Sequence, residues 1–114
     1  GDKVLELFRQ IARRGGEGVS HGVQLVISRD GKLLSARLDG NAIDPQASYR
    51  VTTIDYLAQG NDQLTAFQGG TDLNAPSEEK NNTRYIIADY FRLMAAKGIA
   101  VDAKLEGRIV VSDE

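Results

Sequence analysis

Tyr56 and Asp62 are separated by a short run that includes Gly60 and Asn61. An aromatic face close to a carboxylate suits a ribose-linked base, because the ring stacks on the base while the carboxylate accepts bonds from the sugar hydroxyls. A strand-forming stretch at 49–54 would deliver Tyr56 to its end, and the Gly60-Asn61-Asp62 turn would bring the carboxylate back towards the ring. The same two residues also read more plainly, as a half-buried anchor and a turn residue. The remaining polar candidates are weaker. His21 stands at a strand start beside Gly22 and reads as structural. Arg13 and Arg14 close a helix, where basic side chains complement the negative end, although either can meet phosphate. Arg108 suits an edge-strand ion pair, and Glu78-Glu79-Lys80 a solvated charge run. The Gly-rich link at 15–18 follows a helix instead of preceding one, so it is no phosphate cradle.

Composition closes off other chemistries. The chain of 114 residues has no Cys and one His. Thiol catalysis, disulfides and cysteine-type zinc sites are excluded, and a binuclear metal centre usually draws on several His. We therefore assign no catalytic residue and no metal ligand. With 14 basic and 16 acidic side chains the formal charge is −2, which argues against a nucleic-acid binder. No apolar run approaches a bilayer span, and the first residues lack the pattern of a signal peptide. Leu, Ile, Val and Phe supply 30 of the 114 residues, enough for the core of one domain. Missing Cys leaves the redox compartment open.

The elements that must position these residues follow from periodicity. Asp2 is placed to cap a helix over 2–14, with Val4, Leu7, Phe8 and Ile11 on one stripe and Gly15-Gly16 as its stop. Alternation predicts a strand over 21–28, a two-residue Asp30-Gly31 turn, and a return strand over 34–38. Turns at 39–41 and 44–45 precede a third strand at 48–54. A short helical turn at 55–59 is broken by Gly60-Asn61-Asp62, and 68–80 reads as a long polar loop. Asn82 or Thr83 can cap a last helix to Lys97, with Ile86, Tyr90, Leu93 and Met94 as its buried face. A closing strand at 107–111 completes an α+β fold with two main helices and a mixed, mainly antiparallel sheet.

The run from Tyr49-Arg50-Val51-Thr52-Thr53 to Gly60-Asn61-Asp62 resembles the C-terminal domain of the 5′-nucleotidase family of metallophosphoesterases. Leu38-Asp39-Gly40-Asn41-Ala42-Ile43-Asp44-Pro45 is similar to the turn before that strand. Leu5 to Phe8, the Gly15-Gly16 break and Gly18 to Val23 resemble the preceding helix and strand, and Glu106-Gly107-Arg108-Ile109 resembles the terminal segment. The resemblance implies that residues 1–114 form part of a substrate-recognition domain. It assigns Tyr56 to base stacking and Asp62 to the ribose, with Gly60 and Asn61 shaping the turn. Divalent metals and hydrolysis are expected only in a separate metallophosphoesterase domain or chain, and a periplasmic or cell-surface home is implied. Asn61 stands where the family pattern has its second Gly, and Gln63 where it has the Gly after the Asp. Asn tolerates positive φ, so Asn61 is expected to hold the turn, while Gln63 sets a side chain beside the pocket. The family's upstream Asn-Gly-Gly-Gly-x-Arg and Pro-Phe segments do not occur, so the chain resembles the second half of the domain. A base held between two rings in the family would here meet one.

Two functions of different classes follow. One is a nucleotide- or nucleoside-recognition portion of a 5′-nucleotidase-like phosphohydrolase, not catalytic by itself. The other is an assembly module that pairs with another copy or with the missing half and binds no nucleotide. Open sheet edges favour a homo-oligomer in either case.

Overall fold

In a computed structural model of the chain, the apolar spacing of Val4, Leu7, Phe8 and Ile11 becomes helix α1, Asp2–Arg13. The structure describes residues 1–71 and 79–113. Gly1, not Asp2, takes the N-cap position of α1, and no side chain caps this end. Asp2 lies one residue inside the helix, where its Oδ1 accepts from the Lys3 amide at 2.8 Å and its charge complements the dipole. At the other end Gly15, at φ 84°, lets its own amide reach Ala12 O (3.0 Å) and that of Gly16 reach Ile11 O (3.1 Å). That pair of bonds is a Schellman motif and stops the helix at the glycine pair.

Strands β1 (Val23–Ser28) and β2 (Leu33–Leu38) form the expected antiparallel hairpin, with Val23 opposite Leu38 and Leu25 opposite Ala36. The link is longer than the two-residue turn that Asp30-Gly31 suggests. Ser28 N donates to Lys32 O at 2.8 Å, and Gly31 N donates to Ser28 O at 3.0 Å with Gly31 at φ 86°. Residues 29–31 thus make a type I turn closed by a left-handed glycine, the three-residue hairpin solution. A two-residue β3, Asn41–Ala42, and β4, Ile109–Ser112, complete a sheet of order β3-β2-β1-β4, in which β4 runs parallel to β1. The fold is α+β with a mixed sheet and two main helices, as the sequence implies.

One face of this sheet is buried under α1. Leu7, Phe8, Ile11 and Ala12 meet Val23, Leu25 and Ile27, and Ile43 and Leu64 join them from the loops. The chain divides into this unit, Gly1–Gly70 with Glu106–Glu114, and a second, Thr71–Leu105.

The expected third strand at 48–54 does not form. Its residues have the right propensity, but the two edges of the sheet are β3 and β4, so no ladder reaches this stretch. Strand propensity without a hydrogen-bonding neighbour leaves coil. A single helical turn follows, α2, Asp55–Ala58. The polar loop at 68–80 is shortened at both ends by 3-10 turns, Thr65–Gly69 and Glu79–Asn81, and its residues 72–78, including Glu78, lie outside the described residues.

In the second unit the helix α3, Thr83–Ala96, is capped by Asn82, whose side chain accepts from Arg84 N. Its expected buried face is not buried: Ile86, Tyr90 and Leu93 are about half exposed and Met94 is intermediate. An apolar stripe needs a second element against it. Within this unit, among the described residues, the only other regular element is the short turn Glu79–Asn81. Among the described residues no helix is long and apolar enough to cross a membrane.

Candidate nucleoside site

The predicted site residues come together within the first unit. Ile54 is extended (φ −80°, ψ 158°), and α2 begins directly after it, so Tyr56 sits on a helical turn with its side chain half exposed. Asp55 Oδ1 accepts from the Tyr56 amide at 2.9 Å, a local bond that fixes the start of that turn. Gly60, at φ 88°, closes it with its amide on Leu57 O at 2.9 Å. The Asn61 side chain donates to Tyr56 O at 2.8 Å. Asn61 therefore supports the turn through its side-chain amide and through its carbonyl, which accepts from Leu64 N at 3.1 Å. The positive φ values fall on Asp62 (57°) and Gln63 (66°), which corrects the expectation for Asn61. Gln63 thus occupies the left-handed conformation that the glycine of the family pattern would adopt without strain. Its side chain is exposed.

These two left-handed residues turn the Asp62 carboxylate back to α2. Tyr56 Oη donates to Asp62 Oδ1 at 3.1 Å. Tyr56 is held above the ordinary phenol pKa, first by this hydrogen bond and then by the carboxylate's charge, with Arg14 opposing. Asp62 retains capacity for a ligand, because an ionised carboxylate offers about four acceptor positions and the phenol takes one.

Two residues outside the predicted set hold the turn in place. Arg14, at the end of α1, donates from Nη1 to Asp62 O at 2.6 Å, with the same nitrogen 3.8 Å from Asp62 Oδ2. Its Nη2 lies 3.6 Å from Glu17 Oε2. Gln10 is a buried polar residue on the core side of α1, 8% exposed. Its Nε2 donates to Thr65 Oγ1 at 2.8 Å, and its Oε1 accepts from Ala66 N at 2.9 Å. Between these clamps Leu64 drops into the core and is fully buried. Gln10 stands three residues after Leu7, on the side of the apolar stripe, which was a readable signal of a buried polar side chain. Arg14 gave none beyond its place at a helix end.

His21, Glu106 and Arg108 form a second cluster in the same unit. His21 Nδ1 is 3.0 Å from Glu106 Oε2, Arg108 Nε donates to Glu106 Oε1 at 2.7 Å, and Arg108 Nη1 donates to Val19 O at 2.6 Å. Glu106 is held below the ordinary carboxylate range, first by Arg108 and then by His21. This cluster ties the approach to β1 to the approach to β4, which gives His21 and Arg108 the structural roles their positions suggest. Among the described residues no group of three His, Asp or Glu side chains could hold a metal ion.

Comparison with curated proteins and with solved structures returns no match. The model of the family "5′-nucleotidase, C-terminal domain" matches residues 4–69, more than half of the chain. The matched stretch runs from the first turn of α1 to the end of the Thr65–Gly69 turn, so it contains the hairpin, Tyr56, Asp62 and both clamps. On that match, the chain belongs to the 5′-nucleotidase C-terminal domain family.

Proposed function

We propose that this chain is the nucleotide- or nucleoside-recognition portion of a 5′-nucleotidase-like phosphohydrolase. The observation that carries the reading is the half-exposed Tyr56 ring bonded to Asp62 on a turn braced from α1 and the core. The ring face takes the base, and the carboxylate accepts from the ribose hydroxyls. Hydrolysis and its divalent metal ions belong to a separate metallophosphoesterase domain or chain, and the family implies a periplasmic or cell-surface setting.

Stacking on one ring contributes about 1–3 kcal/mol, and a single ring acting without a partner sits low in that range. After the cost of association the isolated chain binds nucleosides at about millimolar affinity at best. NMR titration with adenosine and other nucleosides tests the assignment. Tyr56→Ala and Asp62→Ala each weaken binding, whereas Tyr56→Phe keeps most of it because the ring face remains. Equal binding by wild type and Tyr56→Ala would remove the site from consideration.

A second reading rests on the same geometry. Tyr56, Asp62 and Arg14 already satisfy one another, as in a turn that serves structure alone. If no nucleoside binds at all, the chain is an assembly module of the same fold.

A further inference from the structure

The stretch at 48–54, between the 45–47 turn and α2, is built like a strand without having one beside it. Tyr49, Val51, Thr52, Thr53 and Ile54 are strong strand formers, the stretch holds no Gly or Pro, and Arg50 is its one charge. Its backbone runs without a turn, bend or ladder. Among the described residues its only backbone hydrogen bond is the one Ile54 O accepts from Ala58 N at 3.0 Å, where α2 begins. Residues 50–54 are all exposed, with Val51 at 51% and Ile54 at 48%.

Both ends are nevertheless fixed. The Tyr49 hydroxyl accepts from Asp44 N at 2.9 Å, and its ring packs against the core cluster. Ile54 is the cap of α2. A segment anchored at both ends has lost part of the entropy that pairing would cost, while, Ile54 O aside, its amides and carbonyls take no backbone partner among the described residues.

We propose that residues 48–54 pair antiparallel with the same residues of a second copy, about a two-fold axis through Val51. The side chains select both occupant and register. Centred on Val51, all seven residues enter the ladder before α2 intervenes. Tyr49 then faces Thr53, Arg50 faces Thr52 and Val51 faces itself, so an aromatic meets a β-branched residue and no like charges oppose. Centring on Arg50 sets two guanidinium groups against each other. Centring on Thr52 leaves only 50–54 paired and brings Tyr49 opposite the start of α2. The stretch is self-complementary in one register, as an isologous contact requires.

The absence of Cys allows a test by single thiols. Val51→Cys puts the two thiols on the axis, where paired Cα atoms lie about 4.5–5.5 Å apart, within disulfide reach. In Thr53→Cys they are offset by about 13 Å along the ladder. Mild oxidation is expected to link the Val51→Cys variant at least tenfold faster than Thr53→Cys. Light scattering of the wild type should show a concentration-dependent dimer. Thr52→Pro, which removes a ladder amide, and Val51→Lys, which sets like charges on the axis, should each raise its dissociation constant at least tenfold. Circular dichroism checks that both variants keep the fold. A wild type that stays monomeric at high concentration, equal cross-linking of the two thiol variants, or a dimer indifferent to both substitutions would overturn the proposal. All of these readouts are taken without ligand, so a failure to bind nucleosides leaves the pairing untouched, and the reverse.

Discussion

The two polar clusters of the first unit use one plan and reach different ends. In each, an arginine donates to a backbone carbonyl, Arg14 to Asp62 and Arg108 to Val19, and a carboxylate bonds a third side chain, Tyr56 or His21. The His21–Glu106–Arg108 group joins segments far apart in sequence through exposed ion pairs. The Tyr56–Asp62–Arg14 group adds an open aromatic face, two consecutive left-handed residues and a fully buried neighbour, Leu64. Charge clustering alone is therefore not what singles out the proposed site. Strain in the backbone, a stacking surface and a rigid mount beneath it distinguish one cluster from the other.

The rigid mount gives the largest expected effect. Leu64→Ala empties a filled position beneath the site turn and should cost about 2–5 kcal/mol. Chemical denaturation measures the loss, and NMR should show the Tyr56 environment disturbed while His21 keeps its own. An undisturbed Tyr56 would separate the turn from the core. Gln63→Gly should act in the opposite direction and more weakly. Relief of left-handed strain exceeds the added freedom of the unfolded chain, for a gain of about 1 kcal/mol in the same measurement. A loss of stability there would show that the Gln63 side chain contributes more than its conformation costs.

The smallest effect separates the clusters by pH. Glu106 is lowered in the folded state, so its contribution is present above the ordinary carboxylate pKa of 4.5 and is lost as pH falls through the lowered value. Tyr56 is raised, so its contribution is present below the ordinary phenol pKa of 10.0 and is lost as pH rises through the raised value. Glu106→Gln should flatten only the acid limb of the stability profile. Asp62→Asn should bring the Tyr56 phenol back towards its ordinary titration, followed by ultraviolet absorbance.

Local rules carried much of the fold. The stripe of α1, its glycine stop, the hairpin alternation and the Asn82 cap of α3 each depend on residues within a few positions of one another, and each is legible in the sequence. The strand at 48–54 was misread because propensity describes the residue and pairing requires a neighbour. The face of α3 was misread for the same reason, since a stripe predicts burial only where something lies against it. The approach of Tyr56 to Asp62 was legible through the aromatic and turn pattern, while the binding roles proposed for them rest on the family resemblance. Arg14 was not, because its contact with Asp62 spans the hairpin and no local signal connects them. The left-handed pair at Asp62 and Gln63 was displaced by one residue from the expected Asn61, which is the usual precision of a turn read from composition.

The parallel pairing of β4 with β1 has a consequence for the order of folding. The β1–β2 ladder closes across residues 29–31, whereas Leu25 meets Ile109 only after the whole intervening chain has been spanned. Loop-closure entropy makes the second event costlier by about 2–3 kcal/mol, so the hairpin and α1 can associate while the last strand is still free. Arg14 and Gln10 belong to or adjoin that early-closing stretch, and Tyr56 and Asp62 follow it in the chain, still ahead of β4. During synthesis the residues of the proposed nucleoside site can therefore come together before the strand that seals the sheet has been made.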